Sequence, residues 1–176
     1  LRDIDVISEI KDTSPVLINI TITTSDDEMS KKIEPNVCSS SERFDVIERL
    51  SENGIFTGIL LMPVLPFLED SEENILQIIN KAKESGAKFI YPYFGLTMRD
   101  GQREYFYKGL DKHFIGVKEK YISRYKNNYN CPSPNSKKLW SLFKSECDRL
   151  GIIYDMKYII RNYKLGYEDT QLQLFD

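Results

Sequence analysis

Thr21 and Thr23 stand two residues apart at the end of an alternating run, Val16-Leu17-Ile18-Asn19-Ile20-Thr21-Ile22-Thr23-Thr24. In a strand that spacing turns Asn19, Thr21 and Thr23 to one face and Ile18, Ile20 and Ile22 to the other. A parallel strand covered on both faces reads as continuous Val, Ile and Leu. The polar stripe therefore predicts a face that lines a wet cavity, as a barrel interior can. Threonine chosen for its β-propensity is the competing explanation. Other groups offer less chemistry. His113 is the only histidine and sits in a Lys/Tyr-rich segment, which reads as surface. Cys38, Cys131 and Cys147 have neither metal-ligand spacing nor the even count of a disulfide framework. For Cys131 and Cys147, buried thiols are the simple reading. Asp26, Asp27 and Glu28 open a helix and complement its dipole. There is no Gly-rich phosphate loop and no Ser/His/Asp grouping.

Tyr105, Tyr107, Tyr121, Tyr125 and Tyr129 interleave with Lys108, Lys118, Lys120, Arg124 and Lys126. Cations that meet phosphates and rings that stack on bases make this run the best nucleic-acid candidate, and DNA a candidate partner. Tyr121 and Tyr125 are four apart, however, and also fit one packed helix face. The formal net charge of -3 does not suggest general nucleic-acid binding.

The elements that position these groups follow from periodicity and punctuation. Three times a helix closes on glycine and an apolar strand begins, at Gly54, Gly86 and Gly151. Strands are expected at 16–24, 55–65, 87–95 and 151–154. Helices are expected at 2–11, 26–33, 41–53, 71–85, 102–126 and 134–149. Strand, helix, strand in this order predicts an α/β protein with a parallel sheet. At 176 residues the chain can bury a core as one domain. No stretch is apolar for long enough to span a bilayer. The cysteine usage points to a reduced, cytoplasmic setting. The opening Leu1-Arg2-Asp3 reads as a cut within a longer protein.

The ordered run Ile22-Thr23-Thr24, Lys32-Ile33-Glu34-Pro35, Ser41-Glu42-Arg43-Phe44, Gly54-Ile55 and Gly58-Ile59-Leu60-Leu61-Met62-Pro63-Val64-Leu65-Pro66 resembles the radical S-adenosylmethionine superfamily. More narrowly, it is similar to the spore photoproduct lyase-like, or DNA repair photolyase, branch. The resemblance is clearest over residues 1–94. It implies a partial (β/α)6 TIM-like barrel, of which residues 1–98 are the back half. Residues 99–165 would be a helical C-terminal extension with a short strand, and 166–176 a flexible tail. The cofactors it implies are S-adenosylmethionine and a 4Fe-4S cluster held by a Cys-x3-Cys-x2-Cys loop. That loop is absent, and the three cysteines of this chain are too far apart to replace it. The resemblance thus implies an enzyme for the parent protein and an inactive fragment here.

Site residues follow from the resemblance one by one. Thr21 and Thr23 would donate hydrogen bonds to the ribose or methionyl group of S-adenosylmethionine. Arg43 would pair with its carboxylate, as a guanidinium fork fits that group. Relatives often carry Glu-Pro-Arg where this chain has Glu34-Pro35-Asn36, which shifts weight onto Arg43. Met62, Pro63 and Val64 would wall the adenine, with Tyr93 and Phe94 nearby. At the other end, Gln171-Leu172-Gln173-Leu174-Phe175 resembles the peptide with which bacterial polymerases and repair proteins dock on the sliding clamp. Gln171, Leu174 and Phe175 would be its anchors. The missing first strands should leave the 16–24 strand with an uncovered edge, inviting a dimer. A non-catalytic α/β module binding DNA or the clamp is the competing reading.

Overall fold

Amphipathic spacing and end signals account for the elements that build the sheet. The computed structural model describes residues 2–167, with eight helices and five strands among them. Helix α1 (Ile4–Thr13) leads to strand β1 (Leu17–Thr21). Helix α2 (Asp27–Ile33) starts at Asp26, whose carboxylate accepts from the N–H groups of Glu28 and Met29. Helix α3 (Ser40–Glu52) opens on a capping box formed by Ser39 and Glu42. Strand β2 (Phe56–Leu61), helix α4 (Glu72–Glu84) and strand β3 (Phe89–Pro92) follow.

The three strands lie in the order β1-β2-β3 and run parallel. A further parallel bridge joins Phe89 to Ile153 and extends the sheet by one position. Ile20, Ile22, Ile59, Leu61, Ile90 and Ile152 pack against one helical layer. That layer takes Phe44 and Ile47 from α3 and Ile75, Ile78 and Ile79 from α4. It takes Leu139, Phe143 and Cys147 from helix α7 (Ser136–Leu150). Sequence alone placed α7 in the C-terminal extension; it belongs to the sheet core. Gly54, Gly86 and Gly151 all take positive φ at the ends of α3, α4 and α7, as their spacing predicts.

The opposite face of the sheet is different. Parallel register sets Asn19, Gly58 and Phe89 in one row, and Thr21, Leu60 and Tyr91 in the next. Phe89 crosses Gly58 and stacks on Phe56, with centroids 5.6 Å apart. Helix α8 (Met156–Tyr163), which the sequence pattern did not reveal, adds Tyr163 to this aromatic floor. Above the floor no described helix covers the face, and Asn19 is exposed while Thr21, Leu60 and Tyr91 are half-buried.

A second core lies beyond Tyr93. Strands β4 (Gly95–Thr97) and β5 (Asn130–Pro132) form an antiparallel pair. Helices α5 (Gln102–His113) and α6 (Val117–Tyr125) close it around Leu65, Met98, Leu110, Tyr121 and Cys131. The single helix expected over 102–126 breaks because Gly116 takes φ 82° and starts α6. Among the described residues no helix is long and apolar enough to cross a membrane.

Candidate functional site

The C-terminal ends of β1 and β2 meet in a buried polar cluster. After Thr21 the chain leaves the ladder, and Thr23, Thr24 and Ser25 are all buried. Thr23 Oγ1 donates to Glu69 Oε1 at 2.6 Å, and the Leu65 N–H donates to Glu69 Oε2 at 2.8 Å. Asn74 ties the loops together. Its Nδ2 donates to the carbonyls of Thr23 and Glu69, both at 2.9 Å, and its Oδ1 accepts from the Ser25 N–H. Ser25 Oγ donates to Gln77 Oε1, and Lys81 Nζ to the Ser25 carbonyl. The strand end is therefore held by α4, which follows the next strand.

Glu69 is 1% exposed. Burial pushes its carboxyl up to about 7, against the hydrogen bonds from Thr23 and Leu65, which favour the anion. Glu34 and Asp70 add smaller upward pushes. A proton on Oε1 reverses the bond to Thr23, so that Glu69 donates and the Thr23 hydroxyl can offer its hydrogen elsewhere. The pair is thus a proton-holding unit at the end of the sheet. Asp70 has another task. Its Oδ1 accepts from the Phe67 N–H at 2.7 Å, pinning a residue with φ 67°, and its Oδ2 accepts from Ser133 Oγ at 2.5 Å. Sequence reasoning missed Glu69, Asp70 and Asn74. Two acids just ahead of the Ser71 helix cap read as solvated charges, and only the folded-back loop buries them.

Arg43 is a structural clamp. Its guanidinium pairs with Glu34 at 2.6 Å and donates to the carbonyls of Thr21 at 2.8 Å and Cys38 at 3.1 Å. Even-numbered residues of β1 bond toward β2, as Ile18 O accepts from Thr57 Oγ1 and the Ile22 N–H donates to Leu60 O. Thr21 O therefore looks to the free edge, where Arg43 caps it. A cleft of about 390 Å3 follows that edge, lined by Asn19, Thr21, Glu34, Cys38, Arg43 and Val46 among others. Arg43→Ala should destabilise the fold by about 2 kcal/mol in urea denaturation, because it strands two carbonyls and a carboxylate. Arg43→Lys should recover little, since an ammonium does not reproduce the fork. Full recovery by Lys would contradict the clamp.

The other expected site residues divide. Thr21, Met62 and Tyr93 are half-buried and Pro63 is exposed at the sheet's C-terminal end. The Tyr93 hydroxyl donates to Asn130 Oδ1, and burial raises its pKa. Val64 and Phe94 lie in the helix-side core, Phe94 edge-on to Trp140 and Phe143, so they do not wall the open face. Strands β2 and β3 end at Leu61 and Pro92, and strand parity no longer applies beyond them. Thr23 and Arg43 already bond within the protein, and among the described residues no buried side-chain N or O lacks a partner. Asn19 and Thr21 present polar side chains to the open side, in rows with Gly58 and Phe89 and with Leu60 and Tyr91.

The Tyr/Lys run is not one surface. Tyr121 and Tyr125 are core residues, donating to the carbonyls of Pro66 and Pro132. Tyr105 and Tyr129 remain exposed. Cys38 is exposed, while Cys131 and Cys147 are buried in different cores, and burial raises both thiol pKa values. Among the described residues no group of three or more His, Cys, Asp or Glu could hold a metal ion. Residues Gln171, Leu174 and Phe175 lie outside the described residues.

Comparison with known proteins adds uncharacterised relatives. No family profile matches the chain, and no solved structure does. An uncharacterised protein of Mycobacterium tuberculosis (strain ATCC 25618 / H37Rv) is 27% identical over 128 residues, 73% of this chain and 36% of the relative. An uncharacterised protein of Mycobacterium bovis (strain ATCC BAA-935 / AF2122/97) matches to the same extent. An uncharacterised protein of Acidianus two-tailed virus is 26% identical over 93 residues, 51% of this chain and 30% of the relative. The chain spans about a third of the length of the mycobacterial relatives it matches.

Proposed function

We propose that the chain is one wall of a partial (β/α)6 barrel and part of a longer radical S-adenosylmethionine enzyme of the spore photoproduct lyase-like branch. One observation carries this reading. Parallel strands follow in sequential order with α3, α4 and α7 layered on one face. Among the described residues the other face meets α8 only at its Phe56 end, and leaves Asn19 exposed and Thr21, Leu60 and Tyr91 half-buried. A sheet that must be buried on both sides is incomplete in that state. Strands supplied from outside the chain would pair with the β1 edge and close a cavity over that row. In the isolated chain the same edge would pair with a second copy.

The residues present fit half of a cofactor site. The Thr21 hydroxyl and the Asn19 amide would hydrogen-bond a polar ligand, while Leu60, Met62 and Tyr91 would exclude water from it. Arg43 would hold the strand end straight and Glu69 would set the direction of the Thr23 hydroxyl. Bound S-adenosylmethionine supplies the radical chemistry of such enzymes. The described residues do not fit the 4Fe-4S cluster, because the cysteines are separate and two are buried. Its ligands would come from elsewhere in the longer protein. Equilibrium dialysis with S-adenosylmethionine tests the site in that protein. Thr21→Val should weaken binding about tenfold, the scale of one lost hydrogen bond to a charged ligand. Unchanged affinity would remove Thr21 from the site.

A further inference from the structure

Helix α5 carries a feature that the sheet does not explain. Tyr105, Lys108, Lys112 and Ile115 recur at helical spacing, so the first three share one face of α5 and Ile115 extends it just past the end. Tyr105 is 81% exposed and Ile115 94%. Beside this face runs a groove of about 390 Å3, with Ile33, Leu65, Leu68, Phe106, Leu110 and Phe114 as its apolar lining. Lys32 stands on its α2 wall, and Lys108 and Lys112 on its α5 wall. None of these three ammonium groups has a hydrogen bond or ion pair with a described residue.

Gly109 sits between the lysines and lines the same groove. It lies inside a helix, where glycine costs about 1 kcal/mol relative to alanine. A Cβ at this position would meet nothing within 4 Å. No neighbour in the chain therefore requires glycine there, whereas a backbone passing close to α5 would.

We propose that the groove between α2 and α5 docks an acidic amphipathic helix of a partner protein, which crosses α5 over Gly109. Its aliphatic or aromatic side chains would enter the groove, and its carboxylates would face Lys32 on one wall and Lys108 and Lys112 on the other. The chemistry selects this occupant over two others. A single-headed anionic amphiphile fills the floor but leaves cations on the second wall unmet and makes no use of Gly109. A nucleic acid strand needs exposed ring faces for its bases, whereas Phe106 and Phe114 are half-buried in the groove and its exposed rings are those of Tyr105 and His113 on the α5 wall.

Fluorescence anisotropy tests the proposal on the whole chain with a labelled amphipathic probe peptide. The probe carries Leu and Phe at helical spacing and Glu at the remaining positions. Binding should weaken at least tenfold, by about 1.4 kcal/mol or more, in Lys108→Glu/Lys112→Glu. It should fall below detection in Gly109→Leu. Gly109→Ala should weaken binding while raising the unfolding midpoint, a pairing that general damage to the fold does not produce. A control probe with Lys in place of Glu should not bind. The proposal is overturned if the acidic probe fails to bind, or if it binds the Lys108→Glu/Lys112→Glu and Gly109→Leu proteins as well as the native one. Displacement of the bound probe by oligothymidylate or laurate at lower concentration than by unlabelled probe overturns it too.

Discussion

Through Glu69, raising the pH from the ordinary carboxylate range through 7 should remove about 3 kcal/mol of folding stability. The folded carboxyl titrates near 7, whereas the unfolded one titrates near 4.5. Between those values the folded state holds a proton that the unfolded state has released. Stability from this group is therefore fully present below 4.5 and lost as the pH passes the folded value. Urea denaturation across that window checks the slope. Glu69→Gln keeps the shape and carries no charge, so its curve should be flat where the native protein falls. Thr23→Val removes a hydrogen bond that favours the anion and should move the upper end of the fall to higher pH. A slope that survives in Glu69→Gln would assign the titration to another group.

The second large effect belongs to a single missing methyl. A Cβ on Gly58 would stand 2.4 Å from the Phe89 carbonyl oxygen and 2.5 Å from the Phe89 ring. The carbonyl is backbone in the neighbouring strand and cannot step aside without breaking the β2–β3 ladder. Gly58→Ala should therefore destabilise the protein by about 3 kcal/mol, the upper end of overpacking losses. Gly109→Ala should do the reverse and stabilise by up to about 1 kcal/mol, since nothing surrounds its Cβ. One chemical change with two opposite signs, read from the same denaturation experiment, separates steric need from intrinsic propensity. A stable Gly58→Ala protein would mean that Phe89 does not lie across β2.

Much of the fold was legible because local signals repeat. Glycines at 54, 86 and 151 stop helices before apolar runs, and alternation in β1 separates Ile20 and Ile22 from Asn19 and Thr21. The β4–β5 pair was not legible, since each strand is three residues long and more than thirty residues, including α5 and α6, separate them. Nor was α8, whose eight residues fall where the apolar pattern weakens. Within the candidate site, parity along β1 turns Thr21 to the open face. Met62, Val64 and Phe94 lie past the strand ends, where parity stops, and Val64 and Phe94 enter the helix-side core. Arg43 was singled out as a charge fork, but its partner Glu34 lies across the α2–α3 connection and only the fold brings them together. Glu69 gave no signal at all. A buried acid and a solvated one are the same letter until a loop covers one of them.

We propose that this sheet serves a radical enzyme. The most direct measurement is reductive cleavage of S-adenosylmethionine by the longer protein containing this chain, purified and reconstituted with iron and sulfide without oxygen. Formation of 5′-deoxyadenosine under a strong reductant, reduced in Thr21→Val, is the expected result. An intact cluster with no 5′-deoxyadenosine, or a longer protein whose remaining sequence lacks a Cys-x3-Cys-x2-Cys loop, would contradict it.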